Sequence, residues 1–565
     1  MSTRVSTALL CASSFLGSTA FGASLPAIEG TGGAIASSEV AATEAGLEIL
    51  RHGGNAVDAA VATALALVVV HPEAGNLGGG GFAVVKMGDE LASLDFREIA
   101  PAAATAGMYL DIEGRLRPGA SKIGPLAAGV PGSPVGLWEL HRRFGRSEWA
   151  DVVAPAQRLA ADGFVVTRRL HESIADKRSE LARFPESAEI WLPRGQPPAV
   201  ASRIQIPALA TALQRYAEAG PTALTSGAAA AAIERISSKY GGILRAEDVA
   251  AYRAEWRQVI RFEAFGWSFA TMDLPASGGI ILGQTLKQLE ELGWRDRPRF
   301  GAERAHLLAE VWRRSFADRY LMGDPSTTEV ESETLLGKAW LDWRRSSIDP
   351  DQATLSSKVV SSPDEPPVES QDTTHLSVID RDGNLVSMTT TLNGSYGCKV
   401  LVPELGYFLN NEMDDFTSAA GVPNLYGLIQ GEANTIAPGK RMLSSMGPTL
   451  AWNGTESLAI GARGGSKIPT ATVQVLLNIL VDRDPLQAAV NRPRLHHQWL
   501  PDQLGTEDDA LSPETRIILE GLGHGIELLE WGAKVNVVQG LEDGRLAAAA
   551  DPRGPAAAGV VNPTH

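Results

Sequence analysis

Thr373 lies at the junction of two contrasting segments, where its hydroxyl could do chemistry. Residues 361–371 are rich in proline, serine and acidic side chains, which predicts an exposed loop. Directly after them, the β-branched Thr373 and Thr374 and the alternating Leu376 and Val378 favour a strand. If the chain were cut before Thr373, the hydroxyl would become a nucleophile, and the new α-amino group, with a pKa of about 8, would be its base. On these residues alone, an ordinary threonine at the start of a strand is the commoner explanation.

Motifs on both sides of Thr373 favour the nucleophile. Downstream, the chain has Thr-Thr-Thr-Leu-Asn-Gly at 389–394, Asn-Asn-Glu-Met-Asp-Asp-Phe at 410–416 and Leu-Ser-Ser-Met at 443–446. Upstream, it has His-Pro-Glu-Ala-Gly-Asn-Leu and four glycines at 71–81, then Asp-Phe-Arg-Glu at 95–98. In this order, the motifs closely resemble those of the γ-glutamyltransferase (γ-glutamyl transpeptidase) family. The resemblance extends from about Gly33 to about Arg553, which is nearly the whole chain.

The resemblance implies an α+β fold, an αββα sandwich of the N-terminal nucleophile hydrolase type built as one interleaved unit. Self-cleavage before Thr373 would give a large subunit, residues 24–372, and a small subunit, residues 373–565, which stay associated. The implied enzyme takes the γ-glutamyl group from glutathione and other γ-glutamyl compounds through a γ-glutamyl-threonine acyl-enzyme. Water, an amino acid or a dipeptide acceptor then receives the group. The family resemblance implies no cofactor and no metal.

Catalytic roles follow from the resemblance for four residues. Thr373 would attack the carbonyl of Asp372 during self-cleavage and the substrate amide afterwards. Thr391 would hydrogen-bond this nucleophile, and the backbone N–H groups of Gly464 and Gly465 would form the oxyanion hole. From the residues alone, Thr391 is equally well a strand residue with a satisfied hydroxyl, and the two glycines a flexible turn.

A γ-glutamyl group carries an α-carboxylate and an α-ammonium, so its pocket must present both signs of charge. The resemblance assigns the carboxylate to Arg97, whose guanidinium is a planar fork of donors. The hydroxyls of Ser444 and Ser445 would add further donors.

The ammonium partners implied by the resemblance are Asn393, Glu412 and Asp415. The two acids are three residues apart, so their carboxylates can converge on one point if the segment turns; a solvated turn is the ordinary explanation for such acids. Residues 421–434 resemble the lid loop of many members, with Tyr426 as the wall of the pocket.

Two other sequence features could suggest a different kind of site. His496 and His497 could suggest a metal, but no HExxH, cysteine pair or third ligand accompanies them, which favours an ordinary surface or core pair. The glycines at 78–81 lack the P-loop Gly-Lys-Ser/Thr and suit close backbone approach instead. The absence of a G-x-S-x-G motif argues against a serine hydrolase.

Two alternatives to a γ-glutamyltransferase remain at this point. A glutaryl or cephalosporin-type acylase of the same family would act on side chains without the ammonium, and Asp415 argues against it. An inactive exported binding protein would keep the fold without the nucleophile, and Thr373 argues against that.

Composition and the first residues predict the compartment. The net charge of −16 and the pI near 5.2 exclude a basic nucleic-acid surface. Residues 1–23 resemble a secretory signal, with Arg4 before an apolar stretch and small residues at 22 and 23. The apolar run 59–70 is too short to span a bilayer. We therefore expect a periplasmic or secreted protein without a transmembrane span.

Periodicity predicts the elements that must position these residues. Residues 34–70 are typical of two helices separated by a break at 52–54, with Asn55 capping the second. Residues 82–96 predict two strands, and 135–360 are mostly helical, with a strand at 267–272. After Thr373, strands are expected at 376–380, 385–391 and 458–460, and helices at 470–479 and 485–491.

Overall fold

Antiparallel strands form the centre of the protein. The computed structural model describes residues 26–359, 373–417, 424, 428, 431–529 and 532–562. The strands are β1 Ile28–Gly30, β2 Gly33–Ser37, β3 Gly80–Met87, β4 Glu90–Asp95, β5 Phe164–Val165, β6 Arg203–Ile204, β7 Glu255–Arg257, β8 Ile260–Ala264, β9 Trp267–Thr271, β10 Thr373–Asp380, β11 Leu385–Thr391, β12 Leu401–Val402, β13 Tyr407–Phe408, β14 Thr449–Trp452, β15 Ser457–Arg463, β16 Leu495–His496, β17 Leu504–Thr506, β18 Ile526–Leu528, β19 Lys534–Gly540, β20 Leu546–Ala550 and β21 Ala557–Val560.

Helices lie before, between and after these strands. They are α1 Val40–Arg51, α2 Ala56–Val70, α3 Ser133–Phe144, α4 Trp149–Asp162, α5 Arg168–Asp176, α6 Arg178–Leu181, α7 Pro185–Trp191, α8 Pro207–Ala219, α9 Thr222–Thr225, α10 Gly227–Lys239, α11 Ala246–Ala251, α12 Ser277–Glu291, α13 Ala302–Asp318, α14 Ser332–Leu336, α15 Lys338–Ser346, α16 Lys467–Leu480, α17 Leu486–Asn491 and α18 Pro513–Leu522.

Two seven-stranded sheets pack face to face. One has the order β21-β2-β10-β11-β3-β4-β7 and the other β1-β20-β19-β15-β14-β9-β8. Strand β10 contacts β15 and β19 across the interface, while α1 and α2 cover the outer face of the first sheet and α12 and α16 that of the second. This arrangement confirms the αββα sandwich expected from the sequence.

Alternating side chains of β10 explain why the strand is buried on both faces. Leu376 and Val378 pack with α2 in the core between the first sheet and its helices. On the opposite face, Ser377 Oγ donates to the carbonyl of Asn536 at 3.1 Å in the second sheet. Period-two alternation thus directs Leu376 and Val378 toward the helices and Ser377 toward the second sheet.

Both sheets contain strands from before and after Thr373, so the predicted large and small segments are interleaved. A division into a helical domain before 360 and a strand domain after it does not occur in the part of the chain that the structure describes. No helix among the described residues has the length and apolar character needed to cross a bilayer.

A local signal explains where α2 begins. Asn55 begins α2 with a capping box: its side chain accepts from the backbone of Val57 and Asp58, and Asp58 accepts from the backbone of Asn55. The prediction of helix from residue 34 was wrong for the first four residues, which belong to β2. Their small residues pair with β10 and β21, and this tertiary pairing overrides helix propensity.

Candidate active site

Thr373 is the first residue of β10 and is buried. In the antiparallel pair with β11, it lies directly opposite Thr391, and the register continues to Ile379 opposite Leu385. The backbone N–H of Asn393 donates to Thr391 Oγ1 at 2.7 Å, which orients that hydroxyl at the end of its strand. The two threonines that the sequence singled out are therefore neighbours.

A small cavity opens beside Thr373. Eight of the eleven predicted site residues line it: Arg97, Thr373, Thr391, Asn393, Asp415, Ser444, Ser445 and Gly465. Glu412 Oε2 lies 2.6 Å from Nη1 of Arg97, and Gly464 directly precedes Gly465 in the chain. Tyr426 lies outside the described residues, so its predicted role stays untested.

Gly464 and Gly465 form the turn between β15 and α16. Their φ values are +135° and +57°, in the region of backbone conformation that residues other than glycine rarely adopt. Gly465 lines the cavity and Gly464 does not. The first turn of α16 follows directly, so the positive end of the helix dipole lies on the same side of the cavity as Gly465.

Arg97 joins the two acidic residues among the three predicted ammonium partners. Its Nη1 lies 2.6 Å from Glu412 Oε2 and its Nη2 lies 2.6 Å from Asp415 Oδ2. The acids are the first and last residues of a 3₁₀ turn, so the predicted convergence occurs, although on Arg97. A guanidinium has five N–H groups. The contacts with Glu412 and Asp415, together with the hydrogen bond from Nε to the Met442 carbonyl, occupy three of them.

Burial controls the charges of this cluster. Burial raises the pKa of Glu412 to about 8, although Arg97 acts in the opposite direction. Burial and the nearby Glu412 raise the pKa of Glu98, whose carboxyl lies 3.6 Å from Arg97. Burial alone would lower the pKa of Arg97, but Glu412, Asp415 and Glu98 raise it, so Arg97 remains a cation.

Asp415 is also tied to the segment where the lid was predicted. The side-chain amide of Asn424 donates to Asp415 Oδ1 at 2.9 Å, and Asn434 donates to the Asp415 carbonyl at 2.6 Å. Leu428, four residues after Asn424, lines the cavity. The described residues Asn424 and Asn434 thus connect the segment to Asp415, and Leu428 connects it to the cavity.

Ser444 and Ser445 also line the cavity. The Ser444 carbonyl accepts from the backbone and hydroxyl of Ser277, the first residue of α12. Ser445 Oγ is buried and has no hydrogen-bond partner among the described residues. This hydroxyl is therefore positioned to donate to an anion in the cavity.

Arg319 lines the cavity but was not predicted. Its Nε donates to Ser277 Oγ at 3.1 Å, and its charge, together with that of Arg97, opposes the burial effect that raises the pKa of Asp415. Helix α13, which ends at Asp318 directly before Arg319, carries Arg313 and Arg314, which pair with Glu310 instead. No local signal separates Arg319 from these neighbours.

The histidine pair is in the core. His496 bonds Thr470 and Gln498 through its two ring nitrogens, and His497 Nδ1 accepts from the backbone of Trp499. These contacts match the expectation of an ordinary pair.

A different group of described residues has metal-ligand chemistry: His306, Glu310 and His524. Both oxygens of Glu310 already accept from arginines and from Thr354. Two guanidinium charges beside the carboxylate disfavour a cation there.

Known proteins are similar to this chain over most of its length. Residues 42–561 match the family model described as gamma-glutamyltranspeptidase. A glutathione hydrolase proenzyme of Escherichia coli (strain K12) is 40% identical over 527 residues, covering 92% of this chain and 90% of the relative. Among solved structures, a gamma-glutamyltranspeptidase of Helicobacter pylori has a TM-score of 0.56 at 35% identity, covering 57% of this chain and 93% of that one.

The fold has a further match in a cephalosporin acylase from Bacillus halodurans, with a TM-score of 0.83 at 24% identity, covering 97% of this chain and 99% of that one. At this identity the likeness concerns the fold alone. The family model, the proenzyme relative and the sandwich together lead to one conclusion: the chain belongs to the gamma-glutamyltranspeptidase family.

Proposed function

We propose that this chain is a self-cleaving γ-glutamyltransferase and glutathione hydrolase with Thr373 as its nucleophile. The observation that carries the proposal is the cavity at the first residue of β10. It combines Arg97 with Asp415, the two signs of charge that a γ-glutamyl group requires, within one lining that also includes Thr373. The names of the proenzyme relative and the solved transpeptidase support the substrate class.

In substrate binding, each charged group of the γ-glutamyl moiety would pair with a group of opposite charge in the cavity. The α-carboxylate takes N–H groups of Arg97 other than those that contact Glu412, Asp415 and Met442, together with the hydroxyls of Ser444 and Ser445. The α-ammonium takes Asp415, Glu412 and Asn393. A zwitterion adds no net charge to this buried cluster, whereas a simple anion or cation would leave a charge unpaired.

The reaction then passes through an acyl-enzyme. Thr373 Oγ attacks the γ-carbonyl as the free α-amino group of Thr373 takes the hydroxyl proton. The backbone N–H groups of Gly464 and Gly465 stabilise the oxyanion. The C–N bond breaks, the leaving amine receives the proton, and the γ-glutamyl ester is resolved by water or by an amino acid or dipeptide acceptor. Thr391 orients the nucleophile from the opposite strand.

Processing and export complete the proposal. Residues 1–23 would be a signal peptide and lie outside the described residues, as does the cleavage junction before Thr373. Subunits 24–372 and 373–565 would stay together because both sheets contain strands from each. The mature protein would be periplasmic or secreted.

One pair of measurements tests this function. We expect two bands on a denaturing gel of the purified protein, and glutamate release from glutathione. Adding a dipeptide acceptor should divert the γ-glutamyl group into a new γ-glutamyl peptide. A glutaryl amide serves as the matched control substrate, since it differs by the ammonium. A single band, or faster turnover of the glutaryl amide than of the γ-glutamyl amide, would contradict the proposal.

A further inference from the structure

A buried ionic cluster lies directly behind the proposed oxyanion hole. Strand β15 ends at Arg463, the residue before Gly464, and the Arg463 side chain is 3% exposed. Its Nη1 lies 3.1 Å from His71 Nε2 and 3.5 Å from Glu73 Oε1. His71 and Glu73 belong to the loop after α2, so the contact joins the predicted small and large subunits.

The partners of Arg463 are themselves fixed. Glu73 accepts from Arg169 and from the hydroxyl of Ser173, both in α5. His71 Nδ1 lies 3.2 Å from Glu39 Oε1 at the start of α1. Residues from β15, the loop after α2, α5 and the start of α1 therefore meet in this cluster.

The hydrogen bond from Arg463 fits one neutral tautomer of His71. A guanidinium can only donate, so in this bond His71 Nε2 accepts and carries no proton; the same Nε2 lies 3.3 Å from Glu73 Oε1, which Arg463 also contacts. The ring proton is then on Nδ1 and points to Glu39. Burial lowers the pKa of His71, in agreement with a neutral ring. Arg463 is thereby held by a directed hydrogen bond as well as by the charge of Glu73.

The neighbouring turn needs such support. Gly464 and Gly465 lack side chains to pack, and glycine has the greatest backbone freedom of any residue. An oxyanion hole is effective only when its N–H groups are held in place before charge develops. We propose that Arg463 is a positioning residue, anchored by His71 and Glu73, that fixes the Gly464–Gly465 turn for stabilisation of the tetrahedral oxyanion.

Contact with substrate is not part of this role. Arg463, His71 and Glu73 are not among the residues that line the cavity beside Thr373. The inference rests on the proposed function, because it presupposes that the two glycines bind the oxyanion. It predicts an effect on transition-state binding that is separate from ground-state binding.

Two inhibitors distinguish these states. L-glutamate tests ground-state recognition, and the γ-boronic acid analogue of glutamate, which becomes tetrahedral on the Thr373 oxygen, tests the oxyanion hole. For Arg463→Met, we expect the Ki of the boronate to rise and kcat to fall by about tenfold or more, since small misplacements of catalytic groups cost that much. The Ki of L-glutamate and the KM should stay within about twofold.

Conservative and remote variants complete the test. Arg463→Lys should recover part of the boronate affinity, and Glu73→Gln, which keeps the shape but loses the charge, should reproduce the effect if Arg463→Met does not fold. Arg304→Met is the matched control, because it removes a buried arginine from its ion pair with Asp482 away from the cavity. It should leave the ratio of the two Ki values unchanged.

The possible results separate this inference from the proposed function. Wild-type protein that releases no glutamate and does not bind the boronate would overturn both. Suppose instead that the wild type is active and that Arg463→Met and Glu73→Gln both keep the wild-type ratio of the boronate Ki to the glutamate Ki. That result would overturn the positioning role alone.

Discussion

Thr373 and Thr391 are direct partners across the antiparallel pair of β10 and β11, at the end of both strands. The pairing extends over seven residue pairs to Ile379 and Leu385, and β10 is also paired with β2 on its other side. Neither contact uses residues before Thr373. The strands can therefore hold Thr373, the proposed nucleophile, in one place opposite Thr391 both before and after the proposed cleavage.

Replacing Thr373 by alanine tests whether one hydroxyl serves both steps. We expect Thr373→Ala to give a single uncleaved chain on a denaturing gel and no γ-glutamyl hydrolysis, because the attacking oxygen is gone. Thr373→Ser keeps a hydroxyl and should still give two bands. If Thr373→Ala were cleaved as in the wild type, the assignment of the nucleophile would be wrong.

Much of the architecture around this pair is visible in the sequence because its signals are local. The capping box of α2, the alternation in β10 and the glycines before α16 all depend on residues a few positions apart. The family motifs also indicated the residues that now share a cavity. The wrong assignment at the start of residues 34–70 arose where pairing with β10 decided the conformation.

Long-range ion pairs were not predictable in the same way. Arg97 and Asp415 are 318 positions apart, and no periodicity indicates that the guanidinium contacts the acids before any substrate does. Arg319 enters the cavity for the same reason, through packing of α13 against α12. Similarly, the directed bond from Arg463 to His71 depends on a loop and a strand that meet only in the folded protein.

Arg97→Lys should not be a conservative change. A lysine has one compact charge, which cannot bridge Glu412 and Asp415 and still present two parallel donors to a carboxylate. We expect a loss of roughly 1.5–3 kcal/mol in kcat/KM, about 10- to 150-fold, mainly through a higher KM. Steady-state kinetics with a γ-glutamyl amide measure this. Arg344→Lys, which alters a buried ion pair with Asp318, is the control and should leave KM unchanged. Wild-type kinetics in Arg97→Lys would place Arg97 outside the binding site.

Affinity for the product L-glutamate should depend on pH through Glu412. Because burial raises the pKa of Glu412 to about 8, the free protein holds this carboxyl protonated at neutral pH. An adjacent substrate ammonium favours the ionised form and lowers the pKa in the complex. Binding therefore releases a proton, so the Kd for L-glutamate should fall as the pH rises from about 6 and level off above about 8.

Calorimetric titration across this pH range measures the effect. Glu412→Gln has no proton to release and should bind L-glutamate with a Kd that changes much less over the same interval. An identical pH slope in the wild type and in Glu412→Gln would show that another group accounts for it.

Asp415→Asn tests how the pocket distinguishes γ-glutamyl from glutaryl groups. In the proposed pocket, the buried Asp415 carboxylate would favour a substrate with an ammonium and would be left without that partner by a substrate that lacks it. Asparagine keeps the shape and removes the charge. Losing one partner of a buried charge pair costs about 2–5 kcal/mol, so kcat/KM for the γ-glutamyl amide should fall at least about thirtyfold. Turnover of the glutaryl amide should hold or rise, since the penalty against it is gone. Asp324→Asn, a buried acid that accepts from the backbone of Arg441 away from the cavity lining, is the control. The ratio of the two kcat/KM values decides the matter: if Asp415→Asn leaves it at the wild-type value, Asp415 does not recognise the amino group.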